Sequence, residues 1–273
     1  MSQDLESRNA DSPTVVANPW RRLREHTDAR IGLGRAGDSL PTAAQLEFQL
    51  AHAQARDAVH LALDTERVMG ELGERFDLPV RLHSAARDRD EYLRRPDLGR
   101  VLDDDSRERL AELDCERCDV SLCIVDGLSA RAIHENAMPF VDALLPVLAE
   151  ADLELGPVAL VEQGRVAVGD PIGEALGARM SVVLIGERPG LSSPDSLGVY
   201  FTWAPQSGRR DSERNCISNI RPRGQSFAAA ARLLGYLMNE ALRIETSGVA
   251  LKDDSEVDSE LGDGQQGNFL LRD

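Results

Sequence analysis

The sequence predicts an α/β fold, an N-terminal helical region followed by a Rossmann-like, mostly parallel sheet. Three apolar runs carry that expectation, because each stops at a polar, glycine-containing turn. They are Val120–Val125 before Asp126-Gly127-Leu128-Ser129, 157–161 before Glu162-Gln163-Gly164-Arg165-Val166, and 181–185 before Gly186-Glu187-Arg188-Pro189-Gly190. Continuous apolar runs of this length between turns read as strands buried on both faces, and helical patterns alternate with them, as in a parallel α/β sheet. Open sheets of this kind bind ligands at the carboxyl ends of their strands, so the three turns mark one candidate edge.

In chain order, residues 1–17 are polar and aperiodic and are expected to be disordered. Asn18-Pro19-Trp20 opens the ordered part. Residues 41–60 place Leu46, Leu50, Ala53 and Val59 at helical spacing, with Thr42 as the expected N-cap. A second helix is expected over 65–76, a short extended piece over 79–82 and a turn or two of helix over 106–113. Ser129 can cap a helix reaching residue 152, bent or broken at Pro139 and Pro146. Asp170-Pro171 starts a short helix ended by Gly177, and 199–203 is a further strand. The most regular helix is 225–243, where Phe227, Ala230, Ala231, Leu234, Leu237, Met238 and Ala241 form one stripe. The expected organisation is a disordered N-terminus over 1–17, a helical domain over 18–117, a Rossmann-like domain over 118–252 and an acidic tail over 253–273.

Charge and composition restrict the partners. The net charge is −16, and positive charge comes from thirty Arg and one Lys, Lys252. That balance argues against nucleic acid and anionic membrane surfaces, which demand clustered Lys and Arg. Lys252, beside Asp253 and Asp254, is a poor candidate for Schiff-base chemistry, which needs a desolvated amine. No apolar run approaches the ~20 residues that span a bilayer, and residues 1–13 lack a basic stretch followed by an apolar one. A cytoplasmic protein with reduced thiols is expected.

The remaining motifs are weaker. Cys115-Glu116-Arg117-Cys118 is a CxxC without a second CxxC or a His pair, which favours a structural role, and Cys123 reads as core. His52 and His60 share a helix but lie two turns apart, too far to chelate one metal unaided. Gly32-Leu33-Gly34-Arg35-Ala36-Gly37 fits GxGxxG. A dinucleotide site would require a strand before it, whereas the charged REHTDAR precedes it and Pro41 follows closely. The strongest candidate set is Asp126, Val166, Glu187, Arg188 and Cys216.

Several motifs in fixed order resemble one family: NPW from Asn18, GRAG from Gly34, RPDLGR from Arg95, DGLSARAI from Asp126, GRV from Gly164, IGERPGL from Ile185 and CISNI from Cys216. From about residue 18 to 250 the chain resembles the small (light) subunit of ethanolamine ammonia-lyase. The resemblance implies a subunit of a lyase that uses adenosylcobalamin to convert ethanolamine to acetaldehyde and ammonia by a radical mechanism. It further implies a hetero-oligomer with a large subunit carrying the substrate site, located in the cytoplasm or in a bacterial microcompartment. Residues 118–252 would then be the cobalamin-binding domain, with Val166, Glu187 and Cys216 as contacts, no catalytic residues and no metal ligands. Base-on cobalamin is implied, since base-off enzymes supply a His from Asp-x-His-x-x-Gly, whereas Ala29, Ala55, Leu63, Ala86 and Ala137 stand three residues after the five His. Two other readings stay open, a non-catalytic scaffold subunit and a nucleotide-dependent oxidoreductase resting on the glycine motif.

Overall fold

The computed structural model describes residues 14–113, 115 and 117–253. Residues 1–13 of the expected disordered N-terminus and the expected acidic tail beyond residue 253 lie outside the described residues. Val16 exchanges two backbone hydrogen bonds with Arg35. A seven-residue 3-10 segment, Pro19–Glu25, follows, with the Asn18 side chain accepting from the Trp20 N–H.

Six strands form one sheet: β1 (Val80–His83), β2 (Val120–Val125), β3 (Ala159–Glu162), β4 (Met180–Gly186), β5 (Leu197–Trp203) and β6 (Arg214–Ile220). Their spatial order is β1-β3-β2-β4-β5-β6, with the first four parallel and the last two each antiparallel to the neighbour before it. The expected extended piece at 79–82 thus becomes the outermost parallel strand. The α/β expectation holds, and three adjacent parallel strands bring Asp126, Glu162 and Glu187 to one edge, as their turns predicted. The sequence reading did not identify β6, because Asn215, Ser218 and Asn219 interrupt its alternation.

Seven helices connect and cover the strands: α1 (Thr42–His60), α2 (Thr65–Gly73), α3 (Arg89–Arg94), α4 (Asp104–Ala111), α5 (Ala130–Glu150), α6 (Gly169–Ala175) and α7 (Phe227–Ile244). On one face, Phe140, Val141 and Leu144 of α5 and Leu234 and Met238 of α7 pack on Leu122, Ile124, Val182, Leu184, Phe201 and Ile217. On the other, Ile172 of α6 and Leu110 of α4 cover Cys123, Val125, Val161, Val183 and Ile185. β2 and β4 are therefore buried along their whole length. The second layer stops short of β6: Cys216 and Ser218 are exposed and Tyr200 is half-buried. Antiparallel strands tolerate one solvated face, and that bare face makes one wall of the site described below.

Local signals behaved unevenly. Ser129 caps α5 through the Ala132 N–H, Ser226 caps α7 through the Ala229 N–H, and Gly177 follows α6 at φ 59°. Of the bend or break expected at Pro139 and Pro146, the break does not occur: helix α5 runs unbroken through both, its apolar stripe clamped between α7 and the sheet. Thr42 is the first helical residue of α1 rather than its cap, and Pro41 precedes it without a side-chain cap bond. The positions that give α1 its helical spacing are not all its buried face: Ala51, Ala55 and Ala58 are buried, while Leu46 and Leu50 are 58% and 61% exposed.

The glycine motif follows the 3-10 segment and a loop, not a strand. Gly32, Gly34 and Gly37 all have positive φ and form a turn beside the Val16–Arg35 bridge. The requirement for a dinucleotide fingerprint fails, and the oxidoreductase reading with it. Cys115 and Cys118 both direct their thiols at the Leu176 carbonyl, at 3.7 and 3.8 Å, at the amino end of the strands. Burial pushes the Cys118 thiol up to about 12, with the neighbouring Cys115 adding to the rise, and Cys123 is wholly buried as expected.

Candidate binding site at the carboxyl edge of the sheet

Each strand end is shaped by close backbone approach. Gly127 has φ 56°, and a Cβ there would meet the Gly186 carbonyl oxygen at 2.3 Å; a Cβ on Gly186 would meet the Ser129 carbonyl oxygen at 2.1 Å. The turns after β2 and β4 therefore touch, which only residues without side chains permit. Beyond this contact β4 delivers Glu187 to the open edge.

The Glu187 carboxylate is fixed from both sides. Ser196 Oγ donates to Oε2 at 2.5 Å, Ser218 Oγ donates to Oε1 at 2.6 Å, and the Asn219 N–H approaches Oε2 at 3.3 Å. The side chain lies over Gly198 of β5, where a Cβ would stand 2.9 Å from Oε1. Each carboxylate oxygen accepts more than one hydrogen bond, so Glu187 keeps acceptor capacity toward the cavity in front of it. That cavity, of about 440 Å3, is lined by Tyr92, Leu128, Val166, Glu187, Arg188 and Tyr200 among others. A second cavity of about 310 Å3 adjoins it and shares Arg165, Val166 and Tyr200.

Val166 follows a turn held by three groups. Asp126 Oδ1 accepts the Gly164 N–H at 3.2 Å, the Tyr92 hydroxyl donates to the Gly164 carbonyl at 3.1 Å, and the Arg165 N–H donates to the Gly99 carbonyl at 2.7 Å. Gln163 adopts φ 54° in this turn. Asp126 lies beneath the site rather than in it. It is 2% exposed, with Arg89 Nη1 3.5 Å from Oδ2. Burial raises its carboxyl to about 6, against the opposing pull of Arg89 and of backbone N–H groups.

Cys216 stands opposite Tyr200 across β5 and β6, with Tyr200 acting on its thiol. Partial desolvation, and behind it the charge of Glu187, raise the thiol against the opposing pull of Tyr200, leaving Cys216 a neutral thiol at pH 7. The structure thus brings Val166, Glu187 and Arg188 to one cavity and sets Cys216 beside it through Tyr200. Sequence reasoning missed Ser196, Ser218, Gly198, Tyr200 and Arg165. Only Ser218, inside CISNI, and Arg165, inside GRV, carried a local signal.

A parallel α/β sheet covered on both faces, ending in two antiparallel strands whose bare face continues into an open cleft, defines an α/β protein with a candidate binding cleft at the carboxyl edge of its sheet. Comparison with known proteins makes the class particular. The profile of the ethanolamine ammonia-lyase light chain (EutC) matches residues 17–252, and the chain belongs to that family. Similar proteins named ethanolamine ammonia-lyase small subunit occur in Pseudomonas syringae pv. tomato (54% identical, 93% of this chain and 92% of that one) and Azotobacter vinelandii (56%, 96% and 98%). Another, from Ralstonia nicotianae, is 55% identical over 96% of this chain and 97% of the relative.

Proposed function

We propose that this chain is the small subunit of an adenosylcobalamin-dependent ethanolamine ammonia-lyase and closes over the cofactor where it meets a large subunit. The observation that carries this reading is Glu187, a carboxylate held by two serines at the mouth of a cavity shared with Val166. A corrin presents neutral amides around its rim, which suit one oriented acceptor and apolar walls rather than a cluster of cations. Glu187 is the amide acceptor, Val166 an apolar and backbone contact, and Cys216 a small, uncharged packing contact. The buried Nε of Arg165, which has no hydrogen-bond partner among the described residues, marks the same place as built for a polar ligand.

Held by Val166, Glu187 and Cys216, adenosylcobalamin would supply the radical chemistry by which hydrogen is removed from the substrate. The residues of this chain bind and orient the cofactor, and the sheet edge shields the reaction space from water. Substrate recognition belongs to the large subunit. The reading also predicts a surface for that partner: nine of the fourteen large apolar side chains exposed in the described residues lie between Val15 and Leu61, among them Trp20, Leu40, Leu46, Phe48 and Leu50. Apolar exposure concentrated in this way marks a contact surface. Among the described residues no helix is long and apolar enough to cross a membrane, and a place in the cytoplasm, free or within a bacterial microcompartment, fits this assembly.

The test is reconstitution. The purified chain alone is expected to be inactive on ethanolamine, and activity is expected on mixing with the large subunit and adenosylcobalamin. Turnover by the single chain, or an active complex showing no corrinoid in its visible spectrum, would overturn the reading. The absence of any bound corrinoid from an assembled complex would favour a scaffold role instead.

A further inference from the structure

Resting on the corrinoid reading, we propose that Arg165 is the cationic seat for the phosphodiester in the cofactor's nucleotide loop. A corrinoid is amide-rimmed and largely neutral, and the phosphodiester is its one anionic group. On this acidic chain, with 47 acidic and 31 basic residues, a seat for that group is a cation that the chain's own carboxylates do not neutralise.

Arg165 meets that requirement. It borders both cavities, next to Val166, so it stands at the passage between them. Among the described residues no carboxylate lies within 4.0 Å of it, whereas Arg214, the other arginine deep in the smaller cavity, is paired with Asp170. Its guanidinium carbon lies 4.1 Å from the centre of the Tyr92 ring, which holds the plane in place, and Arg89 lies 4.9 Å from the same centre. One Nη donates weakly to the Tyr92 carbonyl at 3.4 Å, and the Nε is buried without a partner. A guanidinium has five N–H donors in a planar fork suited to phosphate oxygens. Most of that fork is unused here. A charge that is stacked, partly desolvated and under-bonded gains most from an arriving anion. Arg100 and Arg188, which line one cavity each and have no carboxylate within 4.0 Å among the described residues, extend the positive surface on either side.

The experiment compares cobinamide with cobinamide phosphate, which differ only in the phosphate, on the complex assembled with the large subunit. Binding is read from the visible spectrum during titration, for the native complex and for Arg165→Gln and Arg165→Lys. The native complex is expected to prefer the phosphate form by about 10–100-fold, the scale of a hydrogen bond to a charged group. Arg165→Gln is expected to lose that preference while binding cobinamide as before, and Arg165→Lys to keep part of it. Unchanged cobinamide binding shows that the variant remains folded and assembled. If Arg165→Gln keeps the native preference, or the native complex binds cobinamide but shows no preference, the assignment to Arg165 is wrong and the corrinoid reading stands. If the native complex binds neither compound, the corrinoid reading itself fails and takes this assignment with it.

Discussion

Arg214 and Asp170 form a two-pronged ion pair, both Nη atoms 2.6 Å from a carboxylate oxygen and both side chains 2% exposed. Arg214 begins β6 and Asp170 lies in the first turn of α6, and Thr202 of β5 joins them as acceptor for Nη1 at 3.0 Å. The pair ties the antiparallel edge to the helical layer below the binding cleft. Removing one partner of a buried pair strands the other charge. Asp170→Ala should therefore cost about 3–5 kcal/mol, and the double variant with Arg214→Met should cost less than Asp170→Ala alone. Urea denaturation of the three proteins checks this; equal stability of the single variant and the native chain would contradict it.

For Glu187, the expected effect falls on binding. Glu187→Ala should weaken cobalamin binding in the assembled complex by about 1–3 kcal/mol, because a corrin amide loses its acceptor in a partly desolvated place. Glu187→Gln keeps a carbonyl acceptor and should lose less. Gly198→Ala should act in the same direction without touching the carboxylate chemically, since its new methyl would occupy the space against Oε1. Spectroscopic titration measures all three, and native affinity in Glu187→Ala would reduce the residue to a turn element.

His134 sets an acid limit on stability. Its Nε2 accepts the Asp64 N–H at 2.8 Å, at the start of α2, which requires the neutral ring. Burial first, and then the charge of Arg67, lower its pKa below the usual 6.5. The unfolded chain thus binds the proton more readily than the folded one, so the stabilising contribution is complete above pH 6.5 and is lost as pH falls through the lower folded value. The urea midpoint should drop between pH 7 and pH 5, less steeply in His134→Gln. Parallel pH profiles for the two proteins would rule out the link.

Asp126 works in the opposite sense. Its folded pKa, raised to about 6 from 3.8 mainly by burial, means that the folded state holds the proton more tightly. Its contribution favours the fold most at pH values below 3.8 and declines as pH rises through about 6. Carbon-13 resonance of the labelled carboxyl should titrate near 6, and a value at or below 4 would remove the effect. Asp126→Asn should flatten this part of the pH profile while leaving Arg89 without its charge partner, at a cost of about 3 kcal/mol.

Cobalamin should bind with its own benzimidazole on cobalt. No His among the described residues lines either cavity, and His134 is committed to Asp64. Electron paramagnetic resonance of the cobalt centre in complexes with nitrogen-14 or nitrogen-15 His distinguishes the ligands. A nitrogen splitting that changes from three lines to two on labelling would establish a His ligand and defeat the expectation.

The amino-acid sequence alone determined the alternation of strands and helices after residue 118, the N-cap at Ser129, the apolar stripe of α7 and the edge carrying Glu187. These follow from short-range rules: an apolar run of strand length, a capping hydroxyl and a helical period are each complete within a few residues. The family motifs were legible for the same reason, as contiguous residues. What only the tertiary structure decided depends on partners distant in the chain. Pro139 and Pro146 read locally as places where the helix bends or breaks, yet it does not break, because packing along the whole of α5 outweighs their lost hydrogen bonds. Leu46 and Leu50 mark the helical period of α1, yet the small alanines of that helix face inward and leave them exposed. Asp126 read as a site residue, yet Arg89, 37 positions earlier in the chain, draws it beneath the surface. The cleft itself is of this second kind. Ser196, Ser218 and Gly198 converge on Glu187, and Arg165 faces Tyr92, only after the sheet has assembled, because the free energy of those contacts resides in pairs of residues that no local pattern brings together.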